Sequence, residues 1–380
     1  MKEMSESPFV FGVKVEGDNF TDRKSETEAL LMNFTYGINT ILISPRRMGK
    51  TSLVEKVCTL VDKQKIRIVH IDAFGIRGEI DFINTFATAV VKATSTVWEE
   101  WMENAKLFLG RFVPKISIGQ DPLTDFSVSL EYNASNNTTE EVLQLPERIA
   151  REKGYKIVVC IDEFQQIGEF DDSVPFQKKL RSVWQLQKNV SYCLYGSKKH
   201  IMEKIFLSQS HPFYRFGDIV YLKKISEADW VEYIRDRFNV TGKSISEDYA
   251  RQICQLTDRY SSYVQQLAWF VWLKCKGEVV EEDMTFAINR LLDSQESLFI
   301  QQTESLSEYQ MNFLHAIANG IHTGFTASNV LSNYRLGTSA NITRLRKALT
   351  EKDIIETIAP NTIDFSDPIL KMWLKRRVWR

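Results

Sequence analysis

Residues Ile41–Leu53 read ILISPRRMGKTSL. Ile41, Leu42 and Ile43 form an apolar run, Ser44-Pro45 a turn, and Gly49-Lys50-Thr51-Ser52 the opening of a helix-forming stretch. Strand, loop and helix in this order make a P-loop, in which backbone N–H groups at a helix N-terminus wrap a polyphosphate. Within that pattern Lys50 is placed to reach the terminal phosphates, and the Thr51 hydroxyl to ligate Mg2+. Gly49 sits where a Cβ would block close backbone approach. The full pattern has a glycine where this chain has Ser44. Serine can still make that turn, so the expectation is an altered loop that keeps its site.

A second motif lies downstream. Lys156–Ile167 reads KIVVCIDEFQQI, five apolar residues running into Asp162-Glu163. An acid pair at the C-terminal end of a buried strand stands where open α/β sheets bind ligands. Asp162 is the candidate metal ligand, and Glu163 the candidate base that orients and deprotonates water. The two motifs, in this order, predict nucleotide binding more strongly than either alone.

The bulk numbers bound the rest. A chain of 380 residues has room for two or three domains, each with its own core. With 43% hydrophobic and 26% charged residues it has an ordinary globular composition. A net charge of -1 gives no whole-chain attraction to nucleic acid or membrane, so such binding would need a local patch. Five cysteines show no paired spacing, which predicts a reducing, cytoplasmic setting and no structural zinc. Cys160 and Cys193 fall in apolar runs and read as buried thiols. Met1–Pro8 is polar and reads as no signal peptide, and no apolar run approaches the roughly 20 residues that span a bilayer.

Around the motifs the pattern gives a coarse map. Thr21 or Asp22 caps a first helix that faces inward through Leu30, Leu31 and Phe34. Arg67–Phe74 reads as a buried strand, and Glu79–Trp101 as a long helix with Phe82, Phe86, Val90 and Val97 inward. Pro114–Tyr132 alternates twice around Gly119 and Asp121-Pro122, a hairpin insertion. Asn133–Thr139 reads as a polar loop, Glu140–Glu152 as a helix and Ser191–Ser197 as a strand. Helices follow over Ser226–Phe238, Ser246–Leu256, Ser261–Lys276 and Glu281–Gln301. From Ser305 onward, three helices and two short strands flanking Pro360-Asn361 read as a winged helix. Its third helix turns Arg344 and Lys347 outward, and Lys371, Lys375, Arg376, Arg377 and Arg380 form the strongest basic cluster.

The loop Pro45-Arg46-Arg47-Met48-Gly49-Lys50-Thr51-Ser52 resembles the P-R-R-x-G-K-T-S loop of the archaeal-type ATPases, a branch of the STAND and AAA+-like P-loop ATPases related to origin-recognition-like ATPases. Phe20, Arg23 and Glu26 match the family's F-x-x-R-x-x-E entry segment, which lies against the adenine. For Arg23 a salt bridge is the competing role. The acid pair resembles the P-loop division whose catalytic glutamate adjoins Asp162, and implies an extra strand between the two motif strands. Ser197 matches the sensor 1 position. Arg215, in His211–Gly217, matches an arginine of the P-L-Y-G-R segment that would contact a γ-phosphate, within the chain or across a subunit interface, with a structural ion pair as its alternative. The G-x-P lid turn is missing at Asp258–Tyr263. Tyr263, Gln265 and Gln266 match a family helix that mainly packs.

The resemblance implies a parallel P-loop ATPase domain over residues 1–223 with an insertion near 114–139. A helical lid over 224–302 and a winged helix over 303–380 complete it. The implied activity is Mg2+-dependent ATP hydrolysis as a conformational switch between lid and winged helix, with a protein partner or homo-oligomer and no membrane. A DNA-binding regulator or loader, in which ATP only sets shape, is the rival reading. A small-molecule kinase is the third, disfavoured because Asp162-Glu163 suits water activation.

Overall fold

A computed structural model describes residues 7–13, 15, 17–95, 114–118, 126–130 and 136–379. The chain forms two compact units, Arg23–Lys223 and Met1–Asp22 with Lys224–Arg380.

Strands β1 (Thr40–Ile43) and β2 (Ile66–Asp72), the hairpin β3 (Pro114–Ile118) and β4 (Phe126–Leu130), then β5 (Lys156–Asp162), β6 (Val190–Gly196) and β7 (Asp218–Tyr221) belong to the Arg23–Lys223 unit. Five form one parallel sheet in the order β2-β5-β6-β1-β7. β6 thus separates the Ile41 strand from the Asp162 strand, the extra strand that the acid pair implied. The three central strands are almost wholly buried, which explains their unbroken apolar runs. Of the outer strands, β2 mixes buried with exposed residues, and β7 has only half-buried and exposed ones. β3 and β4 pair antiparallel, and the expected turn over 119–125 lies outside the described residues.

Parallel strands need crossovers, and helices supply them: α1 (Lys24–Tyr36) leads into β1, α2 (Lys50–Leu60) follows it, and α3 (Glu79–Thr94) follows β2. α1 has neither expected cap. Arg23 occupies the N-cap position with φ 68° and no capping side chain. α3 stops at Thr94, short of the expected Trp101, where Ser95 turns extended; 96–101 lie outside the described residues. The helix expected over Glu140–Glu152 is two, Asn136–Leu143 and Leu145–Lys153. Pro146 sits in the first turn of the second, where its missing N–H costs nothing, and cannot continue the first. The first of these helices also takes up part of the expected polar loop, whose 133–135 are not described.

The core beside β5 and β6 is aromatic. Trp184 stacks on Tyr192 with ring centroids 4.0 Å apart. Phe164, fully buried, packs against Phe206 and Phe213 at 5.6 and 5.5 Å. Burial of such a ring is worth about 1.5–3 kcal/mol, and it fixes the chain immediately after Glu163. Cys58, Cys160, Cys193, Cys254 and Cys275 are free and buried.

The other unit is helical up to its closing module. Ser226, Ser246 and Ser307 each accept a backbone N–H at a helix start. The module has helices Glu308–Ala318, Ser328–Asn333 and Ser339–Glu351, then β8 (Ile355–Ala359) paired antiparallel with β9 (Thr362–Phe365). Asn361 makes the wing turn with φ 62°. Asp367 caps the helix Pro368–Trp373 by accepting from the Ile369 and Leu370 amides. Tyr263 donates to Asp367 at 2.5 Å and Tyr260 to Glu356 at 3.2 Å. The helices before the module and the module itself are therefore tied together. Among the described residues no helix is long and apolar enough to cross a membrane.

Candidate functional site

The loop after β1 is built by two left-handed residues, Arg47 at φ 66° and Gly49 at φ 85°. A Cβ on Gly49 would meet no protein atom within 4 Å, so its backbone angle is what requires glycine. Ser44 is buried without a left-handed φ, and its Oγ donates to the Pro45 carbonyl at 3.0 Å. The first loop position therefore does not need glycine here. Gly49 opens α2 without a side-chain cap, and Leu53 N donates to its carbonyl at 3.0 Å. The dipole and first amides of α2 favour an anion at this end. Met48 is buried, Pro45 half-buried, Arg46 exposed, Arg47 half-buried and Ser52 buried.

Arg23 holds the loop from beneath. Arg23 is 4% exposed, and its guanidinium donates to Glu26 Oε1 at 3.0 Å, to the Met48 carbonyl at 3.3 Å and to the Lys223 carbonyl. The salt bridge to Glu26 is present, and a clamp on the P-loop backbone comes with it. Arg23→Ala should destabilise this unit by about 1–3 kcal/mol through orphaned buried acceptors. Denaturant midpoints of the two proteins test this, and equal midpoints would refute the clamp.

Register brings the other motif to the loop. β6 pairs Ile43 with Gly196 and Leu194 with Ile161. The ends of β1, β5 and β6 therefore stand level. Lys50 Nζ lies 2.6 Å from Glu163 Oε1 and 3.6 Å from Asp162 Oδ1. Thr51 Oγ1 donates to Asp162 Oδ2 at 2.8 Å. Glu163 has a left-handed φ of 50°, which costs a non-glycine residue about 1–2 kcal/mol. Its amide donates to Asp162 Oδ1 at 2.8 Å.

The two acids are driven apart in acidity. Burial pushes the Asp162 carboxyl up, with the Glu163 charge adding to it, against the pull of Lys50 and Thr51. Burial pushes Glu163 the same way. There the Lys50 charge and the hydrogen bonds from Lys50, Gln165 and Ser197 win, and hold it below the usual carboxylate range.

Ser197, 7% exposed, donates its Oγ to Glu163 Oε2 at 2.7 Å, with its amide 3.4 Å from the same oxygen. Gln165 escaped the sequence reading. It is 2% exposed, and its Nε2 donates to that same oxygen. The only sequence signal was its place two residues after the acid, which on a helix or a strand would have a different meaning.

Lys50, Thr51, Asp162, Glu163 and Ser197 thus meet. Arg215 does not join them: it is exposed, with φ 55° and its guanidinium 5.2 Å from the Tyr214 ring centroid. Phe20 is half-buried and belongs to the other compact unit.

Residues 297–376 match the family model described as "Probable winged helix domain". A comparison with curated proteins by sequence finds no match. Among solved structures, the Walker-type ATPase PABY2304 of Pyrococcus abyssi superposes with a TM-score of 0.70 at 19% identity, covering 97% of this chain and 99% of that one. The ORC2 protein of Aeropyrum pernix, in ADPNP–ADP complexes, does so at 0.56 and 12%, covering 94% and 95%. At such identities the likeness is one of fold. The chain has the fold of a P-loop ATPase followed by helices and a winged helix.

Proposed function

We propose that this chain is a Mg2+-dependent ATPase that uses nucleotide binding and hydrolysis as a conformational switch. One observation carries the reading: Lys50 and Thr51 meet Glu163 and Asp162 within hydrogen-bond distance across more than a hundred residues of chain. The donor set fits the ion. Thr51 Oγ1 and an Asp162 oxygen are hard ligands of the kind Mg2+ takes, and the half-buried Asp162 carboxylate shares its nearby cation, Lys50 at 3.6 Å, with Glu163 at 2.6 Å. Thr51 and Asp162 would hold Mg2+, which when bound supplies charge neutralisation at the phosphate oxygens.

The chain's own groups do the remaining work on this reading. The amides opening α2 cradle the phosphates. Lys50 leaves Glu163 for a phosphate oxygen. Glu163, freed of that partner, accepts a proton from the attacking water, and Ser197 stands at the γ-phosphate end. Residues 224–302 would be the lid and 303–380 the winged helix. The hydrogen bonds of Tyr260 and Tyr263 argue that these two respond together, so the switch acts on both at once. Phosphate release from ATP, with Mg2+ or with EDTA and with or without duplex DNA, tests the reading. No release from wild type under any of these conditions would end it.

A second reading, in which the winged helix binds DNA and ATP only sets shape, is favoured by the exposed Arg344 and Lys347 on helix Ser339–Glu351. The C-terminal cluster offers less charge than its sequence suggests. Lys371 pairs with Asp364 at 3.0 Å and Arg377 with Asp293 at 2.8 Å; Arg380 lies outside the described residues. A salt-sensitive gel shift, lost on reversing Arg344 and Lys347 to glutamate, is the expected result if DNA is the partner. No shift with any duplex removes this reading.

A further inference from the structure

We propose that Gln165 is a positioning residue for Glu163: it anchors carboxylate oxygen Oε2, and so makes Oε1 the oxygen that takes the proton from water. This rests on the ATPase reading and adds a residue and an atom to it.

The two oxygens of Glu163 have unlike surroundings. Oε2 accepts from Gln165 Nε2, from Ser197 Oγ at 2.7 Å and, at 3.4 Å, from the Ser197 amide. Oε1 meets Lys50 Nζ at 2.6 Å. Lys50 is the group a polyphosphate draws away, because it opens the helix at the phosphate loop. Once it leaves, Oε1 loses its partner while Oε2 keeps all of its own. The carboxylate then hangs by one oxygen and presents the other.

The amide of Gln165 has one workable orientation. An ionised carboxylate only accepts, so Gln165 must offer its NH2 and turn its carbonyl away. That carbonyl, Oε1 of Gln165, is buried and has no hydrogen-bond partner. An orphaned acceptor is a cost that packing alone does not explain, since an apolar side chain of the same size would avoid it. Its counterpart is the bond to Glu163. Gly196 makes room for it: a Cβ there would overlap Gln165 Oε1 and come 2.9 Å from Met202 Sδ. Packing anchors the chain around Gln165. Fully buried Phe164 and Ile167 fix the short turn Phe164–Glu169 on both sides of it. Gln165 donates to Glu163 and on this proposal acts through it.

The test is single-turnover phosphate release and binding of a fluorescent ADP analogue by wild type, Gln165→Met and Gln165→Ala. Each change is also made in the Glu163→Gln background. Methionine keeps the volume and removes the donor, so it serves if the alanine variant does not fold. Turnover is expected to fall about 10- to 100-fold through loss of alignment, while analogue affinity stays within about twofold, a kcat effect without a binding effect. In the Glu163→Gln background the same change is expected to cost nothing further. Gly196→Ala, which displaces the amide, should reproduce the loss. Wild-type turnover in Gln165→Met overturns the assignment, as does an equal loss in both backgrounds, which would mark a merely structural role. An inactive wild type would instead sink the ATPase reading, whereas an active wild type beside an active Gln165→Met sinks this inference alone.

Discussion

Glu163→Gln leaves nucleotide bound and stops its turnover, with kcat lowered by about 10²–10⁴-fold, the usual worth of a general base. The amide cannot take a proton from water, yet it keeps the size and most hydrogen bonds of the acid. Affinity should not fall with activity. Lys50 is bound to Glu163 at 2.6 Å, and that pair must break before Lys50 can serve a phosphate. The variant removes the competitor, so its Kd is expected at or below that of wild type. Fluorescence titration and single-turnover phosphate release measure the two quantities on the same samples. Turnover equal to wild type would take the base role from Glu163.

Lys50→Ala acts on both binding and stability. Loss of a charged hydrogen-bond donor to phosphate is worth about 1.5–3 kcal/mol, or roughly 10- to 150-fold in Kd, and turnover falls with it. Stability suffers as well. Asp162 and Glu163 are left facing each other without their cation, with side chains only 17% and 18% exposed. Removing one member of a buried ion pair costs about 3–5 kcal/mol. Protonation of Asp162, already pushed up by burial, limits the loss here.

The pH dependence has a definite sign. Glu163 is more acidic folded than unfolded, so its contribution is present above the ordinary glutamate pKa and is lost as pH falls through the depressed value. Much of that depression is due to Lys50. The melting temperatures of wild type and Lys50→Ala are therefore expected to differ most near neutrality and to converge in acid. A gap that does not change with pH would detach the ion pair from the stability of the unit.

The amino-acid order by itself determined the elements and the chemistry they bear. Apolar runs set β1, β5 and β6, the Gly49-Lys50-Thr51 step set the loop, and Asp162-Glu163 closed its strand. Serines at 226, 246 and 307 fixed helix starts, because a capping hydroxyl acts within three residues of itself. These signals are local, and local periodicity transmits them. Where the pattern predicts one helix and the chain forms two, a short-range reason suffices: Pro146 opens the second.

Tertiary structure alone decided who meets whom. That Arg23 clamps the Met48 carbonyl, and that Arg215 stays outside the site, depend on where left-handed residues send the chain. That Gln165 touches Glu163 depends on the turn after β5 and on the space Gly196 leaves on the neighbouring strand. Strand register and a reversed backbone angle create those contacts. Neither is written in a period of 3.6 or 2, so a sequence can announce a carboxylate while leaving unsaid which of its oxygens is held.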